Sequence, residues 1–279
     1  MNGLLAVSAL ELAMTSHGQD PMKQAMYLQY AMEYYDRGSL DFRSQIHTIT
    51  EGNSTELYMF STVAWVVSIA TPPGAIFSHE ASILERTLSL LDLIMGSSLI
   101  ASESIMWMMK GPLSSSLTIV IKSFAEVGEE DWFPADAEEI FKKLAYLSDQ
   151  TIESAIIPRE KYTEILKHLR LVYREEMRSR VNGSAMAFPT IAGPTFATAC
   201  KNMEPLALMV LGVWGVMCDK LDKVDHIWWA RDGGMMLVDD ITTRLLHDQS
   251  EIGRLTEFWE CVDWLRTKVG LPIFSSIPL

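Results

Sequence analysis

"MNGLLAVSALELAM" (residues 1–14) is an apolar helix in full stride. Leu4, Leu5, Ser8 and Leu12, together with Leu5, Ala9 and Leu12, recur at the spacing of one helical face. No strand leads into the stretch and no basic arm precedes it, so the expectation is a core helix. The same period continues through the chain. Helices are predicted over 3–16, 21–48, 54–70, 80–95, 97–110, 113–127, 135–149, 160–180, 194–201, 203–221, 226–247 and 254–268. No segment alternates apolar and polar residues as a half-buried strand would. The expected fold is all-α, one multi-helix bundle over residues 1–279.

The helix ends carry their own signals. Asp20 before Pro21 reads as an N-cap followed by a proline in the first turn. Asn53, three residues before Glu56, reads as a cap for the third helix, and Asp136 or an earlier residue as a cap for the helix that follows in the acidic stretch "GEEDWFPADAEEIF". "ATPPGAIF" (70–77) breaks the chain, and "VNGSAMAFPTIAGPTF" (181–196) is the longest irregular connection. His17 with Asp20 reads as a helix-end arrangement. Glu85 and Asp92 read as the solvent face of an amphipathic helix. The charge-dense 159–180 segment reads as a solvent-exposed helix or an oligomer surface.

Composition excludes several function classes. The 279 residues are 48% apolar and 21% charged, a globular balance. A net charge of −13 repels a phosphate backbone, so nucleic-acid binding is not expected. Cys200, Cys218 and Cys261 are odd in number and form no metal-spaced pair, as expected of buried thiols in a reducing compartment. The apolar run 57–70 is too short to span a bilayer. No signal peptide is apparent, so the expected location is cytoplasmic. Seventeen methionines and eight tryptophans suit a core that encloses an apolar cavity, and suit an ordinary helical core as well.

"ARDGGMMLVDDITTRLL" (230–246) is the most chemical stretch. On a helix, Asp232, Met236, Asp239 and Thr243 fall near one face, with Asp240 and Arg244 beside it. Carboxylates so spaced suit Mg²⁺, a hard cation that takes oxygen ligands. Alone, the segment is equally a solvated face with an Asp240–Arg244 pair. In the last helix, Glu257, Cys261, Trp264 and Lys268 recur on one face. A lysine there complements the helix dipole, or places a point charge for a diphosphate.

Three blocks together resemble the regulatory domain of fungal binuclear-zinc-cluster transcription factors of the sterol uptake control protein type. They are "LLAVSALELA" (4–13), the 27–73 helix pair with its break at Gly52 and Asn53, and the 187–246 block. The last carries Phe-Pro, Pro-x-Phe, Glu-Pro-x-Ala-Leu and the pair Trp228-Trp229. The resemblance implies an all-helical domain with a lipid-sized pocket that senses a sterol. The chain departs from the family in having Arg231 and Asp232 after the tryptophan pair and Gly234 where a further tryptophan is usual. It also carries no zinc-cluster cysteines.

The last helix is also similar to that of non-canonical fungal sesquiterpene cyclases of the humulene synthase type. That likeness implies an Mg²⁺-dependent enzyme acting on farnesyl diphosphate in secondary metabolism. Lys268, Arg231 and Arg244 would neutralise the departing diphosphate, and Asp232, Asp239 and Asp240 would hold Mg²⁺. Trp264, Cys261, Trp228, Trp229, Met235, Met236 and Trp214 would line the substrate cavity, with Trp65 and Trp107 as further π-faces. The expected partner is a hydrophobic small molecule, a prenyl diphosphate or a sterol-like lipid, and a homodimer is a further expectation. The two readings are an enzyme and a binding module.

Overall fold

A computed structural model describes residues 1–16, 20–71, 82–125, 132–150, 156–179, 183–248 and 250–274, without the side chains of 120–125. Among them run eleven α-helices: α1 Asn2–Thr15, α2 Pro21–Gln45, α3 Ser54–Ala70, α4 Ile83–Met108, α5 Ser114–Ala125, α6 Ala135–Asp149, α7 Arg159–Arg178, α8 Ala187–Lys201, α9 Pro205–Lys223, α10 Gly233–Leu245 and α11 Thr256–Lys268. Two short 3₁₀ turns, Ser184–Met186 and Ile252–Arg254, interrupt the second half, and the described residues contain no strand. The all-α expectation holds. Packing groups the chain into two compact units, Met1–Ala81 with Ser89–Ile119, and Ser82–Leu88 with Val120–Leu279.

In the first unit, the opening helix turns the other way from the leucine stripe. Gly3, Ala6, Ala9, Leu10 and Ala13 are buried, whereas Leu4 is 61% and Leu12 48% exposed. The buried face is the small one because α1 lies along α2, whose own buried residues are Ala31, Gly38 and Ser39. Small side chains let two helices approach closely, and a leucine there would hold them apart. Asp20 caps α2 as expected, its Oδ1 accepting the N–H groups of Met22 (3.2 Å) and Lys23 (3.1 Å). Those bonds, the Lys23 N–H first, hold its carboxyl below the usual range. Asn53 occupies the N-cap position of α3 as expected but makes no capping bond with its side chain. Its Oδ1 accepts the Thr50 N–H at 2.7 Å and its amide donates to Thr48 O at 3.0 Å, closing the 48–53 turn instead.

α4 runs unbroken through Gly96, where two helices are expected. Leu84, Leu88, Leu91, Ile94, Ser97, Ile100, Ser104 and Met108 form one continuous buried row, and burial along it outweighs the cost of about 1 kcal/mol for one helical glycine. Among the described residues α4 is the one helix long and apolar enough to cross a membrane. Its outward face carries Glu85, Asp92 and Glu103, which gives it the one-sided pattern of a core helix. Ser82 and Glu85 form a reciprocal capping box at its start, Ser82 N–H to Glu85 Oε2 at 3.0 Å and Glu85 N–H to Ser82 Oγ at 3.2 Å. Glu85 thus has a structural task beyond the solvent face assigned to it.

The second unit is built around α9. From Leu206 to Met217 every residue is buried, the pattern of a helix surrounded on all sides. α6, α7, α8, α10 and α11 pack on it. α7 is not the exposed charged helix that its composition suggests. Tyr162, Ile165, Leu166, Leu169, Val172 and Tyr173 make a buried stripe, and even Glu175 and Glu176 lie inside. Glu176 is accommodated by the Ser184 hydroxyl (2.9 Å), the Ala185 N–H (2.7 Å) and the Lys220 ammonium (3.4 Å). The 181–196 connection becomes helical from Ala187, with its break confined to Gly193 (φ 82°) before Pro194, a residue with no N–H to give. The segment expected to begin a helix at 226 is turns until Gly233, through left-handed His226 and Arg231.

Candidate functional site

Apart from the further π-faces Trp65 and Trp107, the expected site falls within the second unit, on α9, α10, α11 and the 226–232 turn. Its position follows from two glycines. A Cβ on Gly234 would stand 2.2 Å from Asp219 N and 2.5 Å from Gly215 O, so α10 crosses α9 backbone against backbone. The glycine that departs from the family pattern is the one that permits this crossing.

On α10 the charged side chains turn outward and are engaged. Asp240 Oδ1 accepts the Arg244 Nε at 3.0 Å, and its Oδ2 accepts the Leu84 N–H of α4 at 2.9 Å. Arg244 reaches on to the Ser82 Oγ at 3.1 Å. Asp239 Oδ1 accepts Arg266 of α11 at 2.8 Å. Asp232 stands exposed at the start of α10 and makes no capping bond with its side chain. It faces Asp219 and Asp222 of α9. Burial, opposed by Lys223 at 2.9 Å and reinforced by Asp232, raises the Asp219 carboxyl. Burial, then Asp232 and Asp219, raises that of Asp222. Arg231 is exposed in a left-handed turn conformation.

These residues do not fit an Mg²⁺ site as they stand. Both carboxylate oxygens of Asp240 have protein donors, and Asp239 is neutralised by a guanidinium. Among the described residues no group of three or more His, Cys, Asp or Glu is arranged to hold a metal. Asp239 and Asp240 serve as fasteners between helices.

Lys268 pairs with Asp136, in the first turn of α6. The N-cap position of α6 falls at the earlier of the expected places, Pro134, and Asp136 lies in the first turn. Burial pushes the Asp136 carboxyl up, but the Lys268 ammonium more than offsets it and holds the group below its usual range. The Lys268 ammonium also stands 5.7 Å from the Trp264 ring centroid, so the expected stripe on α11 does form. Trp264 Nε1 is buried and completes no hydrogen bond, while its N–H helps to lower the Asp136 carboxyl. The paired carboxylate offsets the charge with which the lysine alone would attract a diphosphate.

The residues expected in the cavity wall differ in exposure. Trp214 is buried and donates its indole N–H to Ala185 O at 3.0 Å. Cys261 is buried on α11, and burial pushes its thiol up to about 12. Met236 is 45% exposed, and Trp228, Trp229 and Met235 are half-buried. Trp65 and Trp107 belong to the first unit.

Sequence reasoning missed Arg266. Its side chain is 5% exposed and gathers Asp239, the Thr242 hydroxyl (2.7 Å) and Pro272 O (2.6 Å), with the Phe274 ring 4.1 Å from its guanidinium carbon. Five donors in one rigid fork suit such a hub. Nothing in the local pattern marks it, because its main partner is 27 residues upstream.

A second missed feature is a cleft in the first unit, about 250 Å³ and open on one side. The N-terminal end of α1, the last turns of α2 and the first two turns of α3 form it. Phe42, Leu57 and Phe60 give an apolar floor, and Asp41, Glu56 and Gln45 give a polar rim.

No family model, curated protein or solved structure matches the chain.

Proposed function

We propose that the chain is a binding module for a small, largely apolar molecule, the non-enzymatic alternative raised by the regulatory-domain resemblance. The cleft of the first unit carries this reading. Its walls come largely from one of the resembling blocks, 27–73, and it combines a ring floor with few polar groups, the usual make-up of a small-molecule site. Its volume is below the roughly 300–1,000 Å³ of drug-sized pockets, which favours a ligand smaller than a sterol. Mg²⁺-dependent cyclisation of farnesyl diphosphate is the second reading, and the Lys268–Trp264 stack is the observation in its favour.

One experiment separates them. The purified chain is incubated with farnesyl diphosphate and MgCl₂, the extract is analysed for terpene hydrocarbons, and binding of apolar probes is followed by tryptophan fluorescence. The expected outcome is no hydrocarbon and saturable probe binding lost on Phe60→Ser. Hydrocarbon formation abolished by Lys268→Ala would establish the enzyme instead.

A further inference from the structure

The acids on the outward face of α4 are not its whole pattern. Asp92, Gly96, Leu99, Glu103 and Met106, with Lys110 in the turn that follows, are spaced by alternate steps of four and three residues, the a and d positions of a coiled-coil seam. All six are exposed, Leu99 by 65% and Met106 by 70%. We propose that this seam is the contact between two copies of the chain, packed antiparallel about a two-fold axis beside Ala101.

Gly96 is the residue that a single copy does not account for. Glycine is among the least favourable residues in a helix interior. Gly38 and Gly234 have a reason to lack a Cβ: it would stand 2.4 Å from the Phe60 ring and 2.2 Å from Asp219 N, respectively. A Cβ on Gly96 meets nothing within 4 Å among the described residues. In the antiparallel pair, Gly96 becomes the hole for Met106 of the second copy, and methionine adapts well to such a gap. The same axis sets Leu99 against the stem of Glu103 and Asp92 opposite Lys110, each contact made twice by symmetry.

Charge selects this arrangement. A parallel pair would set Asp92 against Asp92 and Lys110 against Lys110, whereas a copy turned end for end meets opposite charges at both ends. Asp92 also has a partner within its own chain, and a carboxylate accepts up to about four bonds, so Lys110 displaces nothing. A lipid surface offers these three charged positions no complement. The seam is about 27 Å long and a helix about 10–12 Å wide, a footprint of about 300 Å² on each copy. That is well below the roughly 1,200–2,000 Å² in total of a stable complex, so the dimer is a weak, concentration-dependent one.

The test is sedimentation of the full chain from about 10 µM to about 1 mM, where a reversible monomer–dimer equilibrium with a Kd of about 100 µM is expected. Asp92→Lys and Lys110→Asp, each alone, set like charges together at both ends and should weaken the pair about 10-fold. Their equimolar mixture restores both ion pairs and should associate as the parent does, a rescue that no role within a single chain produces. Leu99→Glu should abolish the dimer. All three positions are exposed, so an unchanged far-UV spectrum confirms the fold. Flotation with phosphatidylcholine vesicles is run beside it, and no binding is expected. A monomer throughout the concentration range, a dimer indifferent to Leu99→Glu, or a mixture no tighter than its parts overturns the assignment. Vesicle binding lost on Leu99→Glu also overturns it and gives the face to lipid.

Discussion

Adjacent glycines at the start of α10 give a sharp test of the α9–α10 crossing. A Cβ on Gly233 meets nothing within 4 Å, whereas one on Gly234 meets three backbone atoms of α9 at 2.2, 2.5 and 2.7 Å. Alanine is favoured over glycine at either helical position by about 0.4–1 kcal/mol. At Gly233 that gain stands alone, so Gly233→Ala should leave stability unchanged or raise it by up to about 1 kcal/mol. At Gly234, ordinary contact begins near 3.4 Å, so the two helices must part by more than 1 Å. Backbone cannot swing aside as a side-chain tip can. Overpacking of this severity costs about 3 kcal/mol, and the propensity gain returns up to about 1, leaving a net loss of about 2 kcal/mol. Trp132, Trp214, Trp228, Trp229, Trp259 and Trp264 belong to the second unit, against Trp65 and Trp107 in the first, so tryptophan fluorescence in a urea titration follows chiefly the unit concerned. Equal midpoints for the two variants, or Gly234→Ala at or above the parent, would refute the backbone-on-backbone crossing.

Three further outcomes are expected. Arg266→Ala should lower stability by about 2–4 kcal/mol, since it strips charge-assisted bonds from Asp239, Thr242 and Pro272, and hydrogen exchange should show faster opening of 269–274. Asp240→Ala should cost about 1 kcal/mol through the lost bond to the Leu84 N–H, and exchange at the first turn of α4 should speed up, whereas Lys268→Ala should stay within about 0.5 kcal/mol because its pair is half-exposed. Asp222 has a raised folded-state pKa, so the folded protein holds its proton more tightly than the unfolded chain. Ionisation of Asp222 as pH rises from its ordinary value of 3.8 through the raised one therefore lowers stability, and Asp222→Asn should raise the thermal midpoint at pH 7 and flatten that part of the pH profile.

The fold class was legible because helical period persists over nearly every segment, and the Asp20-Pro21 start was legible because its partners are the next two residues. α1 was misread in its facing: leucines marked the stripe, but close approach to α2 rewards glycine and alanine. The Asp240–Arg244 pair, one turn apart, was visible in the sequence as the plain alternative to a metal ligand. The Asp240–Leu84, Asp239–Arg266 and Lys268–Asp136 partnerships were not, because each joins elements that only tertiary packing brings together. Carboxylates on a helix carry no local sign of whether an ion or an arginine will meet them. The cleft of the first unit was hidden for the same reason: Phe42 and Phe60 look like core residues, and only the glycine opposite Phe60 decides where the ring lies.

The fastening of α4 has a consequence for how the chain is made. Its first turn is held by Asp240 and Arg244, which follow the groups they bind by 156 and 162 residues. At about 5–20 residues per second, synthesis leaves that helix start without these partners for about 8–30 s after it emerges. During that interval only the Ser82–Glu85 box, written four residues wide, can hold the turn. A local cap and a distant clamp on one helix end thus divide their work in time: the first keeps the turn wound on the ribosome, and the second locks it once α10 exists.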